Sequence, residues 1–129
     1  MRTLRLCLAA VVLTSLLAVS GASSGRAAAA STTVKGYVID SACTFTKHLK
    51  KPISADCAVA CAKAGSPLVI QTEDGTIYWP ISSDTPAAGQ NDKLMSYAGK
   101  MVSVTGTVYT KGGSRAIVIS KVEAADSSK

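Results

Sequence analysis

Four side chains able to ligate metals or exchange electrons, Cys43, His48, Cys57 and Cys61, fall within nineteen residues of this 129-residue chain. Three thiolates and one imidazole make a closed tetrahedral set of the kind that holds structural zinc, and soft thiolates with a histidine also suit Cu(I). The same sulfurs can instead form a disulfide, which in an oxidising compartment stabilises a small domain by about 2 to 4 kcal/mol. Cys43 bridged to Cys57 or Cys61 would serve that purpose. A Cys57–Cys61 bridge would be strained, because both Cβ atoms follow one helix direction. Three cysteines leave one over, so the disulfide reading also requires a free thiol or an intermolecular bond, and a working redox thiol is a third possibility. His48 is the chain's single histidine. Asp40 stands where it can orient that histidine as an acceptor or cap a turn at Ser41.

The elements that must position these residues follow from local pattern. The Ala-rich run from Ser54 to Gly65 predicts a short helix, with Ser54 as N-cap, Asp56 in its first turn and Gly65 past its end. Cys57 and Cys61, four apart, share one face of it. Thr33 to Asp40 is β-branched and aromatic and predicts the first strand, with Gly36 marking a bulge or close backbone approach. Thr44 to Pro52 is expected as a loop carrying His48. Leu68 to Thr72 and Thr76 to Ile81 predict two antiparallel strands joined at Asp74-Gly75. Asn91 is expected to cap a helix over Asp92 to Ala98 that Gly99 stops. Met101 to Tyr109 alternates apolar and small polar residues, and Arg115 to Val122 follows a Gly112-Gly113 turn. Five strands with a helix between the third and fourth is the order of an OB-fold-like, all-β Greek-key barrel, with the cysteine helix inserted between strands one and two.

The N-terminus bears on compartment. Arg2 and Arg5 precede an apolar stretch from Leu6 to Val19, and Ala28-Ala29-Ala30 supplies small residues, the layout of a secretory signal peptide over residues 1–30. The apolar stretch falls short of the roughly 20 residues a membrane-spanning helix needs. Cys7 comes too early for a lipoprotein acylation site and should leave with the leader. The expected product is a periplasmic or secreted protein of one domain, residues 31–129. Three of the fourteen basic residues lie in the leader, leaving eleven against eight acids and a net charge of about +3, too mild to argue for nucleic acid.

Gly36-x-Val38-x-Asp40-x-x-Cys43, His48, Cys57-x-x-x-Cys61, Gly65-x-Pro67 and Ala98-Gly99-Lys100-x-Val102-x-Val104-x-Gly106 together resemble small exported bacterial proteins of uncharacterised function with an OB-like barrel. The resemblance spans nearly the whole chain after the leader; it implies a fold and a compartment and supplies no activity. The Cys-x-x-x-Cys pair with a distant histidine is also similar to the copper site of the Sco copper chaperones, whose thioredoxin-like fold the strand order here does not share.

Enzymatic signatures are missing: no glycine-rich phosphate loop, Gly-x-Ser-x-Gly elbow, His-Glu-x-x-His or haem-attachment motif occurs, and the acids are scattered. The expectation is therefore a non-enzyme binding copper or zinc at Cys43, His48, Cys57 and Cys61. The alternative is a disulfide-stapled module for an extracytoplasmic protein or glycan, using Tyr37, Tyr78 and Trp79 on the strand face where OB-folds bind ligands. Against that use, alternation groups Ile77, Trp79 and Ile81 and assigns Trp79 to core packing. No membrane anchor remains after processing, and oligomeric state is left open.

Overall fold

Alternating burial along Val34-Lys35-Gly36-Tyr37-Val38 turns one face of the first strand inward. That strand, β1 (Ser31–Asp40), anchors the rest of the chain in the computed structural model, which describes residues 30–126. The expected leader, apart from Ala30, lies outside the described residues, as does Cys7. After β1 come α1 (Ser41–Thr46), α2 (Ala55–Lys63), β2 (Leu68–Gln71), β3 (Ile77–Pro80), α3 (Asn91–Leu94) running into a 3-10 turn (Met95–Tyr97), β4 (Met101–Lys111) and β5 (Ser114–Ala124). The strands close in the order β1-β2-β3-β5-β4. β1 is antiparallel to both β2 and β4, whereas β3 and β5 run parallel. This is the expected OB-like barrel, with its cysteine-bearing insertion between β1 and β2.

The barrel interior is aliphatic: Val34, Val38, Leu68, Ile70, Val102, Val104 and Ile117 are buried in one cluster. Each such side chain contributes about 1.5–3 kcal/mol when removed from water. Ala58 and Ala62 of α2, with Leu94 and Ala98 around α3, join the same cluster. They close the end of the barrel where β1 stops and β2 and β4 begin. At that end Gly99 (φ 80) donates to the Val38 carbonyl at 2.9 Å, and a Cβ on it would run into Ala55. The site described below sits beside this closure.

Three elements differ from expectation. The segment after β1 is helical at once rather than a loop from Thr44, because Asp40 caps it: its Oδ1 accepts from the Cys43 amide at 2.7 Å. Asn91 is the first helical residue instead of the cap. Its side chain is used elsewhere, accepting from Leu68 N at 2.8 Å and donating to Ser66 O at 2.8 Å, which fixes the end of the insertion. Trp79 is half-buried outside the barrel, because Tyr78 pairs with the core residue Ile70 and takes the inward face. Trp79 stacks instead on Phe45 of α1, with ring centroids 6.1 Å apart.

Candidate metal centre

Two short helices meet the end of β1, and each presents a cysteine in the same way. Asp40 caps α1 and bonds the amide of Cys43; Ser54 caps α2 and its Oγ accepts from the amide of Cys57 at 3.1 Å. A cap at position i with a cysteine at i+3 thus occurs twice, and the cap fixes the backbone from which the sulfur projects. Cys61 lies one turn beyond Cys57, on the flank of the face that buries Ala58 and Ala62. α1 is tied down by the Thr44 hydroxyl, which donates to Asp40 O at 3.0 Å, and by Ser41 N donating to Pro67 O at 2.9 Å.

These constraints bring Asp40, Cys43 and Cys61 together, with one ligand atom from each lying within 4.8 Å of the others. In a tetrahedral zinc shell with Zn–S near 2.3 Å, ligand atoms stand roughly 3.8 Å apart, so a contraction of at most about an ångström closes the three on one ion. Cys57 borders a cavity of about 10 Å³ together with Asp40, Cys43, Ile39, Leu49 and Ile53. That volume is about what one water-sized body requires. Two sulfurs, of Cys43 and Cys57, and the Asp40 carboxylate therefore border a space of atomic size in a setting otherwise apolar, and Asp40 and Cys43 are shared between it and the group that Cys61 completes.

The charge of Asp40 and burial together keep the Cys43 and Cys61 thiols of this cluster protonated. Asp40 is 2% exposed, and its Oδ2 is buried without a hydrogen-bond partner of normal geometry. Burial pushes this carboxyl up, but polar hydrogens of the Ser66 side chain, of the Cys43 amide and thiol, and of the Ala42 amide outweigh it and hold the group below its ordinary value. It is charged at neutral pH. The hydrogen bond to that carboxylate, then burial, push the Cys43 thiol up to about 11, with Asp40, Cys61 and Cys57 adding like-charge repulsion. Burial, then the charges of Asp40 and Cys57, raise Cys61 as well. A cation held there would offset these penalties, because it would stabilise the anionic forms that the neighbours oppose.

Of the four residues expected at the site, Cys43 and Cys61 converge, Cys57 lines the adjoining cavity, and His48 is placed apart. His48 is exposed, two residues beyond the end of α1 and in the left-handed region (φ 53), outside the converging group. Asp40 stands in that group instead. The sequence signal for it was its position three residues before a cysteine at a strand end, which serves a cap and a ligand equally. No disulfide joins the described cysteines: Cys43, Cys57 and Cys61 are all free thiols and half-buried.

Comparison with protein-family models, with curated proteins and with solved structures finds no match. What can be stated is a five-stranded OB-like barrel with an Asp/Cys/Cys group able to hold a metal ion.

Proposed function

We propose that this is an exported, non-enzymatic protein that binds one transition-metal ion, Cu(I) or Zn(II), at Asp40, Cys43 and Cys61, with Cys57 supplying a fourth ligand from the cavity wall. The observation that carries the reading is the convergence of the three ligand atoms within 4.8 Å at the junction of β1, α1 and α2. The chemistry of the donors supports it, since thiolates favour both ions over calcium or magnesium. Export is supported by the leader pattern, and the lack of a catalytic motif supports a binding role. Such a protein would store, buffer or pass on the metal outside the cytoplasm.

The test is linkage between metal and fold. Reduced protein with one equivalent of Zn(II) should melt higher than metal-free protein, a chelator should reverse the shift, and Cys61→Ser should abolish it while His48→Ala retains it. An unchanged melting temperature with excess metal would contradict the proposal.

A second reading, a module for an extracytoplasmic partner or glycan, draws on the Phe45–Trp79 stack. Phe45 is 54% exposed, and the pair borders an open groove of about 410 Å³ with Ile77, Gly113 and Arg115. Binding there would be indifferent to chelators.

A further inference from the structure

The two oxygens of Asp40 have different surroundings. Oδ1 caps α1 through the Cys43 amide, while Oδ2, equally buried, has no hydrogen-bond partner of normal geometry, although the Ser66 side chain and the Cys43 thiol lie near enough to the carboxylate to favour its charge. A cap alone does not call for this residue. Asparagine or serine caps a helix as well as aspartate does, without placing a charge in a site that is 2% exposed.

We infer that Asp40 Oδ2 is a direct metal ligand and that the resulting sulfur–oxygen set makes the centre a Zn(II) site rather than a Cu(I) site. This inference deepens the metal-binding reading and rests on it. Zinc takes carboxylate oxygen at about 2.0–2.2 Å alongside thiolate sulfur, whereas Cu(I) is satisfied by soft thiolates and gains little from a hard oxygen. Charge points the same way. Asp40, Cys43 and Cys61 carry three negative charges once deprotonated, and a divalent ion neutralises one more of them than a monovalent ion does. Cys57, on the cavity wall, then completes a three-sulfur, one-oxygen shell of the closed, structural type.

Asp40→Asn separates the two roles of the residue, since the amide oxygen can still cap Cys43 while the anionic ligand is lost. Zn(II) and Cu(I) affinities would be measured by chelator competition on reduced wild-type and variant protein, with melting of the metal-free forms as a check on folding. The expected result is a fall in Zn(II) affinity of about 100-fold, with Cu(I) affinity changed by less than about threefold. An unchanged Zn(II) affinity overturns the inference, and so does a parallel fall for both ions, which would show Asp40 acting through the fold. Failure of the wild type to bind either ion sinks the metal-binding reading itself. Should the variant not fold, X-ray absorption of zinc-loaded wild type decides the matter: the expected shell holds oxygen at about 2.0–2.2 Å beside sulfur at about 2.3 Å. An all-sulfur or imidazole-containing shell overturns the inference.

Discussion

At the scale of single residues, the site depends on protons as much as on position. Cys43 has its thiol pushed from 9.0 to about 11 in the folded protein, first by its hydrogen bond to Asp40 and then by burial. A folded-state value above the unfolded one means that the fold favours the protonated thiol. That contribution is present in full below about pH 9 and is lost as pH rises through about 11. Metal-free protein should therefore lose thermal stability between these limits, and Cys43→Ser, whose hydroxyl keeps the proton, should show a smaller loss over the same range. Metal-loaded protein should behave oppositely near neutrality, because the ion displaces thiol protons and its affinity grows as pH rises. Thermal melts at several pH values with and without zinc check both signs; a metal-free protein equally stable at pH 8 and 11 would contradict the account. Residue type and spacing made Cys43, Cys57 and Cys61 legible in the sequence. Asp40 was visible only as a cap or an orienting acceptor, because whether its second oxygen finds a partner depends on what the insertion packs against it. His48 attracted attention as the single histidine, but spacing along a chain says nothing about the left-handed backbone that accompanies its exposed position.

At the scale of elements, the strands were legible and the joints were not. Period-two alternation placed β4 and β5, since one face of each meets the core. Within that pattern the structure shows why residue 106 is glycine. It sits at a register shift between β4 and β5, where an added Cβ would meet the Val118 carbonyl oxygen and lie 3.0 Å from Ile117 Cγ1. Gly106→Val should cost about 1–3 kcal/mol in chemical denaturation, by steric clash rather than by loss of a contact. Stability equal to wild type would mean that β4 and β5 do not close as described. The joints escaped the sequence reading because their polar side chains act over long separations. Asn91 binds Leu68 and Ser66, more than twenty residues earlier, instead of capping its own helix. Trp79 was misplaced for a related reason: in β3, only four residues long, register with β2 decides the inward face, and that register puts Tyr78 inside.

At the scale of the whole molecule, a barrel with its own aliphatic core carries an insertion that contributes little more than alanines to that core and all three described cysteines to its margin. The barrel order could be read from strand count and helix position, as an OB-like topology demands. The disposition of the insertion could not, because Ala-rich helices pack without a distinctive apolar stripe. A metal held by Asp40 from β1, Cys43 from α1 and Cys61 from α2 would tie three consecutive elements together, as a disulfide does in many small domains. The most direct measurement is elemental analysis combined with thiol counting on one native sample purified from the extracytoplasmic fraction without chelator. The account predicts about one zinc per chain and, after the metal is removed under denaturing conditions, titratable thiols at all three of Cys43, Cys57 and Cys61. One titratable thiol and no bound metal would contradict it.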